Sequence, residues 1–338
     1  MQTQVIIVGF GIAGANLSFA LQKRGIDFIV IDEPREVTSS KVAAGLFNPV
    51  TGKRVVKTWL ADDIFPFAHS FYKDIETVLS VKIQYDRKAF RFYKDVADQN
   101  DILTKAYDEK YKGYLSTEID SNTYDNFVQE NIGGIEVLQS GNLDVKAYLE
   151  TYKKQLEKEG RFISEKFDYQ SLFKKEDKIT YNDVTADKII FCEGFRGMYN
   201  PFFSWLPYAV TKGEMLRITC DLPRTHILNK GFFILPDKDK KTFIVGSSYE
   251  RVINEETSEK GRLIVSDKLD ALLKGNYQIV DQFAAVRPTV RDRRPFIGEH
   301  PEVKNYYSFN GMGTKGCLLY TSDAADDMQC VDLGGRRI

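Results

Sequence analysis

The stretch Val5-Ile6-Ile7-Val8-Gly9-Phe10-Gly11-Ile12-Ala13-Gly14 decides the fold. Its first four residues are apolar and β-branched, the pattern of a strand buried on both faces of a parallel sheet. Glycines spaced G-x-G-x-x-G follow at once. Ala15 to Arg24 then reads as a helix, with Leu17, Ala20 and Leu21 on one face and Gly25 as its stop. A second apolar strand, Phe28 to Ile31, ends in Asp32. Strand, glycine turn, helix, strand and acid in register make a whole βαβ unit of the dinucleotide-binding kind. Gly9 permits the tight turn, Gly11 lets the backbone approach a pyrophosphate, and Gly14 lets helix and strand pack closely. The helix N-terminus presents free N–H groups and a positive dipole end to phosphates. Asp32, eighteen residues after Gly14, can accept from ribose hydroxyls. An acid there disfavours a 2′-phosphate, which leaves FAD or NAD ahead of NADP.

Composition bounds the rest. At 338 residues the chain suits roughly two domains of about 150 residues each. It is 43% hydrophobic and 28% charged, so disorder is not its main character. With 47 basic and 48 acidic residues it lacks the basic excess of a protein that lives on nucleic acid, and no nucleic-acid partner is expected. No apolar run reaches the ~20 residues of a membrane span. No signal peptide is visible before the first strand. Cys192, Cys220, Cys317 and Cys330 are too scattered for a disulfide framework or a zinc site, so a reducing, cytoplasmic location and no metal are expected.

Three further segments separate FAD from NAD. Ser39-Ser40-Lys41-Val42-Ala43-Ala44-Gly45-Leu46-Phe47-Asn48-Pro49 is small, polar and glycine-bearing, and follows the second strand. Lys188-Ile189-Ile190-Phe191-Cys192-Glu193-Gly194 is a strand that ends in glycine. Arg287-Pro288-Thr289, Asp292, Pro295, Ile297-Gly298 and Asn310-Gly311-Met312-Gly313-Thr314-Lys315-Gly316 close the chain's ordinary part. Together with the first motif, this order resembles the D-amino-acid oxidase superfamily of FAD-dependent oxidoreductases, in its glycine oxidase and sarcosine oxidase branch. The resemblance spans essentially all of 1–316, loosely in the middle.

The resemblance implies a mixed α/β fold: a Rossmann-like FAD-binding domain interleaved with a smaller antiparallel-sheet substrate domain. It implies non-covalent FAD. Gly9, Gly11, Gly14 and Asp32 would hold the ADP half, and Ser40, Ala43, Ala44 and Gly45 would line the ribityl chain and ring system. Gly194 would close against the dinucleotide, and Gly311, Gly313 and Gly316 would form the loop under the flavin's pyrimidine edge. Arg287 matches the arginine that clamps a substrate carboxylate, and a guanidinium fork suits that task. A structural ion pair with Asp292 or Glu299 is the competing reading. Tyr249, just after the strand-like stretch Thr242 to Ser247, reads as a pocket-lining residue, with an ordinary half-buried aromatic as the competing reading. The implied reaction oxidises the C–N bond of a small amine or amino acid by hydride transfer to flavin N5. Hydrolysis of the imine follows, with molecular oxygen or another acceptor taking the electrons. Alternatives are a standalone relative of the tRNA wobble-uridine-modifying oxidase domain and a non-catalytic flavin-binding or electron-transfer subunit. Glu193 departs from the family, which has a small residue there.

Along the chain, residues 62–80 and 101–112 look helical and 120–135 irregular. Asp144 begins an amphipathic helix that Gly160 ends, and a strand near Arg161 to Glu165 leads into a hairpin-like stretch to Thr185. Lys212 to Ile218 alternates as a strand. Phe232 to Pro236 and Thr242 to Ser247 read as a hairpin around Asp237 to Lys241. His69, His226 and His300 match no catalytic spacing and read as surface or loop residues. The FAD domain is expected over about 1–58, 139–204 and 284–316, and the substrate domain over about 59–138 and 205–283. Residues 317–338 look like a translated sequencing adapter, since 317–327 and 331–338 match two adapter stretches in one frame. They are expected to be non-native and to replace a final helix, so that the chain as given would bind flavin poorly. A source genome that encodes this tail would refute that.

Overall fold

The computed structural model describes residues 1–316 except 53, 59, 119–121, 292–293 and 314–315. Asp292, Thr314, Lys315 and the whole 317–338 tail, Cys317 included, lie outside the described residues. The strands of the two larger sheets run, in chain order, β1 Val5–Val8, β2 Phe28–Asp32, β3 Ala89–Phe92, β4 Gly134–Val137, β5 Phe162–Ser164, β6 Lys188–Phe191, β7 Thr211–Cys220, β8 Ile227–Asn229, β9 Phe233–Pro236, β10 Phe243–Gly246, β11 Tyr277–Arg287, β12 Phe296–Glu299 and β13 Tyr306–Asn310. The longer helices are α1 Ile12–Lys23, α2 Ala61–Leu79, α3 Val96–Ala106, α4 Val145–Lys158 and α5 Glu259–Asp270.

The first sheet has the order β5-β2-β1-β6-β13-β12, parallel except where β12 meets β13. Strand alternation sends Val5 and Ile7 of β1, Phe28 and Val30 of β2 and Ile190 of β6 to one face. Ile6, Val8, Ile29, Ile31, Ile189 and Phe191 go to the other. Both faces are covered, which is why these strands are apolar at every position. On the first face lie α1, buried from Ile12 to Leu21, and α4, which presents Tyr148, Leu149, Tyr152 and Leu156. Asp144 caps α4 by accepting from the Ala147 N–H at 3.0 Å. On the second face lies a small antiparallel meander over 172–186.

The second sheet has the order β11-β7-β10-β9-β8-β3-β4, antiparallel except for the β8–β3 pair. The architecture is therefore mixed α/β. Its strands come from 89–137 and 211–287, so β11 runs past residue 284 toward the first sheet. Several sequence readings need correction. The helix expected over 101–112 is α3 at Val96–Ala106, because Asp95 caps it by accepting from the Asp98 N–H at 2.7 Å. The expectation had no place for α5 or for β11, whose exposed positions hide the strand pattern. His226 lies in the bend before β8, as a loop residue, and its ring bridges the Tyr124 hydroxyl at 2.7 Å and Glu136 at 2.8 Å.

Alternation also sorts the segment Lys212-Gly213-Glu214 of β7. Lys212 and Glu214 point to the face covered by α5, where their side chains are 2% and 0% exposed and pair at 2.9 Å. Glu214 also accepts from Gln282 Nε2, the Ser258 N–H and the Ser258 hydroxyl, which is the cap of α5. Burial alone would raise this carboxyl, but the bonds from Lys212, Ser258 and Gln282 outweigh it and hold it below the ordinary carboxylate range. Removing one partner of a buried pair strands the other. Lys212→Met is therefore expected to cost about 3–5 kcal/mol in urea unfolding near neutral pH. The lowered Glu214 contributes stability above its unfolded pKa and loses it as pH falls through the carboxylate range, so the deficit should shrink in acid. A cost under about 1 kcal/mol would place the pair with ordinary surface ion pairs.

Candidate functional site

A cavity of about 1070 Å³ runs from the glycine turn after β1 to the inner face of the second sheet. Gly9, Gly11, Asp32, Ser40, Ala43, Ala44 and Gly45 line one end. Gly194, Gly313 and Gly316 line it further along, and Arg287 and Tyr249 line the end under the second sheet. Gly14 and Gly311 do not line it. A Cβ on Gly14 would stand 2.0 Å from the Gly9 carbonyl oxygen, so Gly14 serves the packing of α1 on the turn. Gly311 packs against Phe296 and Val290.

The glycine end is a cradle for a dinucleotide. Gly9 sits at φ +99°, and a Cβ on it would stand 2.6 Å from the Cys192 carbonyl oxygen. Gly11 precedes α1 and provides no side-chain cap, so the first-turn N–H groups face the cavity's end, apart from Ile12 N–H, which donates to Ser40 Oγ at 3.0 Å. Burial pushes the Asp32 carboxyl up, against a hydrogen bond from the Phe10 N–H that favours its charged form. A carboxyl so placed gains from hydroxyl donors such as a ribose offers. Two of the cations at this mouth are paired: Arg196 Nη1 meets Glu33 at 2.9 Å, and Arg35 lies 3.5 Å from Glu33 and 3.7 Å from Glu255. These features fit FAD.

Glu193, at the end of β6, is accounted for by its partners. The Tyr169 hydroxyl and Asn200 Nδ2, the latter at 2.7 Å, both donate to its carboxyl, tying the turn before the meander and the turn after Gly194 to the strand end. Burial raises its pKa. Nothing in a single sequence could pair Glu193 with Tyr169.

At the other end the Arg287 guanidinium is largely buried and donates from Nη2 to Ser247 Oγ at 2.6 Å. Burial works against its charge, and it makes no ion pair among the described residues. Glu299, one candidate partner, instead accepts from the Asn305 N–H at 2.6 Å, while Asp292 lies outside the described residues. Gly213 makes room: a Cβ there would stand 1.9 Å from Arg287 Nη2. A glycine inside an alternating strand signals such an approach, and this was the sequence sign of Gly213 that went unread. Tyr249 stands at the mouth, 64% exposed. Met215 and Phe233 give this end apolar walls.

The raised pKa of Glu193 has a measurable sign. The unfolded chain loses this proton at lower pH than the folded chain, so stability falls as pH rises from the ordinary carboxylate value through the raised folded value. Glu193→Gln should therefore gain melting temperature relative to the parent as pH moves from about 4 toward 7. A constant offset across that range would show that folding leaves the Glu193 carboxyl at its ordinary value.

Comparison with known proteins agrees with this geometry. The family described as FAD dependent oxidoreductase matches residues 4–321. Among solved structures, the chain is similar to glycine oxidase from Bacillus cereus ATCC 14579 at 17% identity and TM-score 0.78, covering 99% of this chain and 98% of that one. It is similar to iminodiacetate oxidase from Chelativorans sp. BNC1 at 17% identity and TM-score 0.80, covering 98% and 96%. L-amino acid deaminase from Proteus vulgaris shares 12% identity at TM-score 0.77, covering 100% and 95%. With a dinucleotide cradle at one end of the cavity and a family match along nearly its whole ordinary length, the chain belongs to the FAD dependent oxidoreductase family.

Proposed function

We propose that this protein oxidises the C–N bond of a small amine or amino acid with non-covalently held FAD, and that Arg287 binds the substrate's carboxylate. The observation that carries the reading is a largely buried guanidinium that faces a cavity and has no anionic partner among the described residues. Burying a charge without a partner is costly, and a ligand carboxylate offsets that cost through a bidentate, charge-assisted pair. The structural neighbours named as glycine oxidase, iminodiacetate oxidase and L-amino acid deaminase support the substrate class.

In this reading Gly9, Gly11, Asp32, Ser40, Ala43, Ala44, Gly45 and Gly194 hold the cofactor, with Gly313 and Gly316 at its far edge. Gly14 and Gly311 act through packing. FAD supplies the two-electron acceptor. Arg287 orients the substrate, Gly213 keeps the guanidinium's seat open, and Met215 and Phe233 exclude water around the reacting carbon. The substrate loses two electrons and two protons to become an imine, which water hydrolyses. Molecular oxygen or another acceptor takes the electrons. The amine enters neutral, so no dedicated base is required, and the exposed Tyr249 lines the entrance. Cys192 is buried and its thiol is pushed up well above the ordinary range, which makes it a poor nucleophile toward the flavin. A cytoplasmic location remains part of the reading.

Acid precipitation of the yellow protein is expected to leave all flavin in the supernatant, and flavin in the pellet would refute non-covalent binding. Arg287→Leu should raise KM for amino-acid substrates by about tenfold to a hundredfold, the worth of a charged hydrogen-bonded pair. Gly213→Ala should shift KM in the same direction with the charge retained. Unchanged kinetics in both would remove Arg287 from the substrate.

A further inference from the structure

A second cation reaches the same residue as Arg287. Lys268, on α5, lines the cavity and donates from Nζ to the Ser247 carbonyl oxygen at 3.0 Å, while Arg287 donates to the Ser247 hydroxyl at 2.6 Å. The two therefore approach one residue at the end of β10, Arg287 over the sheet's inner face and Lys268 around the strand end from α5. Neither makes an ion pair among the described residues. At the dinucleotide mouth Arg35 and Arg196 are matched by Glu33 and Glu255, while Lys268 and Arg287 share Ser247 and meet no carboxylate among the described residues. Two cations that share one residue and have no carboxylate partner among the described residues offer two seats for an anion that enters the cavity.

Resting on the oxidation reading above, we propose that the substrate is an amino acid bearing a second carboxylate, with one carboxylate on Arg287 and the other on Lys268. Lys268 is then a specificity-determining residue. The carboxylate on Arg287 fixes the reacting C–N bond inside the cavity, and Lys268 receives the distal acid toward the entrance beside Tyr249. Burial also lowers the Lys268 pKa, and a bound carboxylate would restore it.

The test uses the purified flavoprotein, kept anaerobic, with bleaching of the flavin band as readout. Aspartate and glutamate of both hands are titrated beside asparagine and glutamine, which match them in size and lack the second charge. The inference expects the better acid to outdo its own amide by about tenfold or more in half-saturating concentration. Lys268→Met should bring that ratio to about one, and Lys268→Arg should preserve most of it. Equal titration of acid and amide by the parent protein overturns the inference and leaves amine oxidation standing. A preference that survives Lys268→Met overturns the assignment to Lys268. If amines of neither set bleach the flavin while other amino acids do, the dicarboxylate inference falls. If no amine bleaches it, the oxidation reading falls as well.

Discussion

A guanidinium kept largely out of water needs a reason, and much of the cavity's far end is organised around one. Arg287 ends the long strand β11 and lies over Gly213, whose missing side chain is the space the guanidinium occupies. The Ser247 hydroxyl satisfies one of its donors. A guanidinium has five donors, so most of its hydrogen-bonding capacity stays directed at whatever enters. A planar anion answers that demand better than water or a lysine-sized point charge would.

The other side of the same strand explains why the site holds its shape. Strand alternation places Lys212 and Glu214 on the face away from the cavity, and their buried pair gathers Ser258 and Gln282. Ser258 caps α5, and α5 carries Lys268 to Ser247. One three-residue segment thus makes room for Arg287 on its open face and anchors the helix that bears Lys268 on its closed face. The dinucleotide end uses a different device, close backbone packing. Gly9, Gly14 and the Cys192 carbonyl approach one another so tightly that no Cβ fits at either glycine, which brings the α1 N-terminus to the cavity.

Legibility followed the range of the interactions. The βαβ unit was readable because its strands are apolar at every position and its glycines act on neighbours a few residues away. The β9–β10 hairpin was readable from its polar turn, and α4 from Asp144 and Gly160. Helix α5 and strand β11 were not, since β11 is an exposed edge strand with interrupted alternation and α5 is amphipathic only weakly. The role of Gly213 depends on a residue seventy-four positions away, and Glu193 on Tyr169 and Asn200, pairings that exist only after folding. The partners of His226, Tyr124 and Glu136, likewise come from distant chain.

The most direct measurement is the visible absorption spectrum of the purified protein carrying the C-terminus that its source genome encodes, followed by anaerobic titration with amino acids in the parent and in Arg287→Leu. The account predicts a flavin spectrum that bleaches with at least one carboxylate-bearing amine, at concentrations that rise by about tenfold or more in the variant. A flavin that no amine bleaches, or one that bleaches equally well without Arg287, would contradict it.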